Sequence, residues 1–205
     1  GVEMPAGKTV YISLLTCHVA APTDEGGDFP RSPIPNTTGA SITRAADILT
    51  IPGTGNVGTT EGTIDLECVV GFPTALLIIA DYSKNANNYL AIYTTAGGAL
   101  SFEFTAGGGS SNISAASGTV RGDTYKLRHV YRQPTTLDGT NYVISYHNKG
   151  AGWSQHGQSA IQPGGAMDNT GTIYIGVYRG LNLHWASIIR RIRVFQNAIV
   201  GVPTW

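Results

Sequence analysis

Leu100-Ser101-Phe102-Glu103-Phe104-Thr105 alternates apolar and polar side chains without a break. In an extended chain successive side chains point to opposite faces, so Phe102 and Phe104 fall on one side and Ser101, Glu103 and Thr105 on the other. This is the pattern of a half-buried antiparallel strand. Just upstream, Gly97-Gly98 supplies the tolerance of positive φ that a hairpin turn needs, and Asp138-Gly139 does the same further along. Turn signals recur about every eight to twelve residues through the chain, the rhythm of a β-sandwich or barrel. The clearest predicted strands are residues 42–51, 62–72, 76–82, 89–95, 100–105, 124–132, 141–147 and 172–178, within a total of about a dozen.

Composition points the same way. Ile plus Val number 31 against 12 Leu, with 27 Gly and nearly as many Thr, a mixture suited to pleated strands and tight turns rather than to a helical bundle. The 205 residues allow one large core, with or without an arm. Only 13% of residues are charged and the formal net charge is zero, which argues against a nucleic-acid binder or an acidic tail. Residues 1–10 lack the basic start and apolar centre of a signal peptide. The longest apolar run, residues 75–80, is too short to span a bilayer, so no membrane insertion is expected. Cys17 and Cys68 allow one disulfide at most, and two buried free thiols are the simpler expectation, since Cys68 continues the face of Ile64, Leu66 and Val70.

Two segments depart from the alternating pattern. Residues 181–200 contain no Gly or Pro, and Trp185, Ile188, Ile189, Ile192, Phe195 and Ile199 form a helical stripe. Residues 1–35 carry Pro22, Pro30, Pro33 and Pro35 and hold one plausible strand, residues 9–19. They read as an arm with a Pro-rich linker, leading into a sandwich that occupies residues 36–205.

The search for chemistry is largely negative. Asp65 and Glu67 share one face of a strand and could form a glycosidase acid and base, although a solvated strand face carries such pairs routinely. His18, His129, His147, His156 and His184 have no zinc spacing, and residues 53–62 are glycine-rich but contain no lysine for a phosphate loop. Asp168-Asn169-Thr170-Gly171, and Asp81 with Asn85, Asn87 and Asn88, offer oxygens for calcium but equally form turns. Arg190, Arg191 and Arg193 with Arg179 make the one basic cluster, which reads first as a solvated face. No catalytic motif, cofactor or metal is therefore expected. Trp153, Trp185, Tyr82, Tyr89, Tyr178 and His156 fall in or beside predicted loops, where a ring can stack on a sugar while neighbouring Asn and Asp bind its hydroxyls. They are the candidate carbohydrate-binding residues.

The stretch Ser32-Pro33-Ile34-Pro35-Asn36-Thr37-Thr38-Gly39-Ala40-Ser41-Ile42-Thr43-Arg44-Ala45-Ala46-Asp47 resembles the S-x-I-P-T and T-R-A-A-D segment that opens a lectin-like domain in many tailed-phage virion and tail-fibre proteins. The resemblance continues through residues 61–67 and 124–132 and ends at Gly176 followed by residues 189–198, about four fifths of the chain. It implies an all-β, two-sheet antiparallel jelly-roll sandwich of the concanavalin A-like and laminin-G kind. It also implies that residues 189–198 form a strand returning to the sheet, in place of the helix their pattern suggests. By the same resemblance the protein is a non-enzymatic virion component on the phage particle surface. It would be a tail fibre or a capsid-attached fibre or decoration protein, whose partners are a host cell-surface glycan and other virion proteins. The alternatives are a glycoside hydrolase on the same fold and a purely structural module. The arm cannot bury both faces of residues 9–19 alone, which calls for a homo-oligomer, and the three-fold habit of phage fibres makes it a trimer.

Overall fold

The computed structural model describes residues 49–71, 77–114, 118–176 and 188–202, all within the unit Ile48–Trp205. The expectations for the arm, its linker, the sandwich boundary at Asn36, Cys17, Tyr178, Arg179 and Trp185 lie outside these residues.

Eleven strands are present: β1 Leu49–Pro52, β2 Glu61–Val69, β3 Leu77–Asn85, β4 Asn88–Thr94, β5 Leu100–Ala106, β6 Gly109–Ser114, β7 Thr124–Arg132, β8 Val143–Asn148, β9 Trp153–Ser159, β10 Thr172–Ile175 and β11 Ile189–Phe195. They form a six-stranded sheet in the order β1-β10-β3-β4-β5-β6 and a five-stranded sheet in the order β11-β2-β7-β8-β9. Every pairing is antiparallel, and the described residues contain no helix. The protein is thus an all-β jelly-roll sandwich.

The opening alternation decides which way the sheets face. Leu100, Phe102, Phe104 and Ala106 of β5 are buried against Tyr125, Leu127, His129 and Tyr131 of β7 in the opposite sheet. Phe102 stacks on His129 with ring centres 4.4 Å apart, and Phe104 on Tyr131 at 4.3 Å. Each fully buried ring of this kind contributes about 1.5–3 kcal/mol through apolar burial. Tyr131 keeps its hydroxyl satisfied by donating to the carbonyl of Gly58 at 2.9 Å, and its ring occupies the space a Cβ on Gly62 would need. The sheets meet at one edge, where β9 approaches β6 so closely that a side chain at Gly157 would collide with Ile113. Cys68 is a buried free thiol, and desolvation, followed by the nearby Glu67, pushes its pKa up to about 12.

The chain beyond β11 turns back across the outer face of the five-stranded sheet. The Thr63 hydroxyl donates to Asn197 O and accepts from Ile199 N, both at 2.8 Å. Gly201, at φ 101°, then places its carbonyl 3.2 Å from Arg128 Nη1 and its amide 3.2 Å from the Tyr146 hydroxyl. This strap explains why Asp65, Arg128, Val130 and Ile144, which point away from the core, are nonetheless buried.

The helical stripe of residues 181–200 is not what forms where that segment is described. Over β11, Ile192 and Val194 pack against the core while Arg191 and Arg193 face out, paired in register with β2. Ladder hydrogen bonds and burial on an existing sheet outweigh a local periodicity that would leave the edge of β2 unpaired.

Candidate functional site

The sequence candidates do not gather in one place. Tyr82 is not a loop residue: it lies on β3, only 1% exposed, with its hydroxyl donating to Asp168 O and accepting from Gly171 N at 3.1 Å. A ring enclosed in this way has no face to offer a sugar. His156 is the bulged residue of β9, and its ring is directed into the sandwich towards His147. Trp153 begins β9, half-buried opposite Asn148 on the outer side of the five-stranded sheet. Tyr89 lies on the outer side of the other sheet.

Tyr89 belongs to a larger group. Register places Thr50, Tyr174, Asp81, Ala91, Glu103 and Asn112 in one row across the outer face of the six-stranded sheet, from β1 to β6. Flanking rows add Ser83, Tyr89, Thr105 and Ser110 on one side and Tyr93 and Ser101 on the other. Tyr89, Tyr93 and Tyr174 are half-buried, whereas Asp81 is wholly buried. Tyr89 and Tyr93 are about 13 Å apart along β4, and Tyr174 is two strands, about 10 Å, to the side.

The polar groups of this face are oriented. The Glu103 carboxylate accepts from the Tyr89 hydroxyl and, at 3.5 Å, from Ser110 Oγ, and Asn112 Nδ2 donates to the Tyr93 hydroxyl at 3.1 Å. Desolvation, followed by the bond to Glu103, raises the Tyr89 pKa and keeps its phenol protonated. Aromatic faces beside fixed hydrogen-bonding groups can hold a ligand with an apolar ring face and hydroxyls at its rim.

The remaining polar clusters have structural roles. Asp65, offered as half of a catalytic pair, has both oxygens engaged by guanidinium groups: Oδ1 by Arg128 Nε at 2.7 Å, and Oδ2 by Arg128 Nη2 at 2.8 Å and Arg193 Nη2 at 2.9 Å. Glu67 meets Arg190 at 3.5 Å. The two oxygen-rich loops do converge, because Asn88 Oδ1 accepts from Asp168 N at 3.0 Å, but the carboxylate of Asp168 caps its own turn through Thr170. Among the described residues no three His, Cys, Asp or Glu side chains assemble a metal site. A shallow hollow beside Asp123, Lys126, Asn148 and Lys149 is crossed by a 2.5 Å ion pair between Lys149 and Asp123.

Inside the sandwich, His147 and His156 bring their Nδ1 atoms within 3.1 Å. His156 Nε2 is 3.3 Å from the carbonyl of Leu100, an acceptor only, so that nitrogen carries the proton and Nδ1 accepts. His147 must then donate from Nδ1, leaving its Nε2 to accept from Ser154 Oγ at 3.4 Å. The chain Ser154 to His147 to His156 to Leu100 therefore ties β8 and β9 to β5 of the opposite sheet with both imidazoles neutral. Desolvation, aided by His147, lowers the His156 pKa to about 4, and desolvation lowers that of His147. His129 is held still more firmly neutral, chiefly by burial and secondarily by His156, with Nδ1 on Ser145 Oγ at 2.7 Å.

No protein family and no curated protein sequence matches the chain. Solved structures do match, and they place the fold among concanavalin A-like lectin and laminin-G-like domains. Domain 4 of an extracellular arabinanase from Geobacillus stearothermophilus, solved with arabinotriose, superposes at a TM-score of 0.57 and 13% identity. The match covers 74% of this chain and 67% of that one. The carbohydrate-binding module of a Ruminococcus gnavus sialidase, solved with α2,3 sialyllactose, gives 0.51 at 13% identity, covering 76% and 92%. Domains LG4-5 of the mouse laminin α1 chain give 0.53 at 15% identity, covering 74% of this chain but only 40% of the laminin fragment.

Proposed function

We propose that this domain is a non-enzymatic, lectin-like component of a tailed-phage particle, in a tail fibre or a capsid-attached fibre or decoration protein, and that it contacts a host surface glycan. The observation that carries the binding role is the face that Tyr174 of β10 and Tyr89 and Tyr93 of β4 share with Glu103 of β5 and Ser110 and Asn112 of β6. Its tyrosines span more than one sugar ring, which suits an oligosaccharide. Two domains of the same fold are known with bound sugars, arabinotriose in one and sialyllactose in the other. The phage setting rests on the resemblance of residues 32–47 and the segments that follow it. Against a hydrolase stands the engagement of both Asp65 oxygens by Arg128 and Arg193, which leaves that carboxylate no room to act as acid or base.

A glycan array combined with an activity screen on host polysaccharide tests this. Binding without turnover is expected; turnover would favour the hydrolase, and silence in both assays a structural module. Tyr93→Ala and Tyr174→Ala should each weaken binding by roughly ten- to a hundred-fold with little change in Tm, because stacking rings at a recognition site are worth about 1–3 kcal/mol. Trp153→Ala, on the other sheet, should leave affinity unchanged. We further propose that the full chain is a homotrimer, which light scattering would report as three times the 21.6 kDa chain mass; a monomer would refute it.

A further inference from the structure

Charge is segregated between the two faces of the sandwich. The five-stranded sheet carries Lys126, Arg128, Arg132, Arg190, Arg191 and Arg193, against Glu61, Asp65 and Glu67. The six strands of the other sheet hold a single cation, Lys84, at the hairpin end of β3, and it acts on Asp168 in the neighbouring loop. Around the tyrosines, among the described residues, the charged group that is not wholly buried is the Glu103 carboxylate.

We infer that the ligand of the tyrosine face is a neutral oligosaccharide, and that glycans ending in sialic or uronic acid are rejected there. This rests on the reading of that face as a glycan site and narrows its substrate class. A carboxylate can only accept hydrogen bonds, so Glu103 suits sugar hydroxyls, which can donate to it. Tyr89 and Ser110 both donate to its Oε1 and so fix the carboxylate from one side. An anionic sugar would bring a second carboxylate to the same place, with no lysine or arginine from the described strands of that face to receive it. Charge-assisted donors are the strongest partners of a carboxylate, and among the described strands they lie on the five-stranded sheet, Lys84 excepted.

The test uses the full chain and matched ligands: arabinotriose and lactose as neutral probes, sialyllactose as the charged counterpart of lactose, and an array pairing other neutral oligosaccharides with their sialylated or uronate-bearing forms. The neutral member of a binding pair should bind, and its anionic counterpart at least about ten-fold more weakly. That discrimination should narrow in Glu103→Gln, which keeps the hydrogen-bonding shape without the charge, and narrow again as salt screens the repulsion. Equal or tighter binding of the anionic member would overturn the inference while leaving the lectin reading intact. Anionic binding that survives Tyr93→Ala but is lost in Lys149→Ala would place the glycan site beside the other sheet and overturn the reading of the tyrosine face on which the inference rests. Failure of every glycan to bind would instead remove the reading on which the inference rests.

Discussion

Asp65→Asn is expected to destabilise the protein by about 3–5 kcal/mol, the usual effect of removing one partner from a buried ion pair. Asp65 is fully buried and Arg128 only 6% exposed, so the substitution would leave the Arg128 guanidinium beneath the strap of residues 196–201 without a counter-charge. Arg193, more exposed, would lose the same partner. The midpoint of thermal unfolding should fall on the order of 10 °C for a domain of this size. Glu67→Gln provides the contrast: Arg190 meets it at 3.5 Å with its own side chain about half exposed, and such pairs contribute about 0–1 kcal/mol. Replacing Asp65 and Arg128 together with leucine and methionine should recover most of the loss, because the buried charge is removed with its partner and Arg193, whose side chain is 36% exposed, reaches water. If denaturant unfolding gave Asp65→Asn and Glu67→Gln equal effects, the burial assigned to the Asp65 cluster would be wrong.

The second large effect is acid lability. His156 is neutral in the folded protein, with a pKa of about 4 against 6.5 for a free imidazole. The unfolded chain therefore binds protons first as the pH falls, and stability present above pH 6.5 is lost progressively towards pH 4. The difference of 2.5 units corresponds to about 3 kcal/mol at 1.36 kcal/mol per unit. His147 and His129 act in the same direction. A first proton can enter at His147 Nε2 without breaking the bond between the two rings, but a second would set two N–H groups face to face and break it. Tyr125, whose ring lies 6.4 Å from His147, is in turn next to Lys149 and Asp123, while Cys68 pairs in register with Tyr125. Burial, opposed in part by Lys149, keeps the Tyr125 phenol neutral through this range, and burial does the same for the Cys68 thiol. Urea unfolding from pH 7.5 to 4 should show the decline, and His156→Gln, whose amide can still donate to Leu100, should flatten it. A His156→Gln protein as acid-sensitive as the parent would refute the role given to the pair.

Much of the fold was legible in the sequence because half-buried strands write their environment into alternate residues. Residues 100–105 alternate cleanly, and 124–132 do so apart from the inward His129 and the outward Val130; β5 and β7 occupy those positions almost residue for residue. β6 and β9 were not legible. Gly109–Ser114 contains one large apolar residue, Ile113, and Trp153–Ser159 interrupts its alternation with the His156 bulge and with Gly157. Both are edge strands, closed against each other by the contact between Gly157 and Ile113, and an edge seam needs close approach more than a long apolar face.

The candidate site was legible in one residue of its tyrosine trio. Tyr89 stands beside a predicted turn, whereas Tyr93 and Tyr174 read as ordinary members of alternating strands. Tyr82 looked as accessible as Tyr89, but its hydroxyl finds its partners in a loop 86 residues away in the chain. The β class, the turns at Gly98 and Gly139 and the inward faces of the central strands follow from the amino-acid order alone, since each depends on local conformation or on the burial of alternate positions. The resemblance already implied the strand that residues 189–195 form, against their helical stripe; the long-range fold settles that it pairs with β2, that Asp65 and Arg128 are buried beneath the returning chain, and that Tyr89, Tyr93 and Tyr174 share a face with Glu103. Those outcomes depend on register and long-range pairing, which bring together residues as far as 136 positions apart and leave no mark on the local pattern.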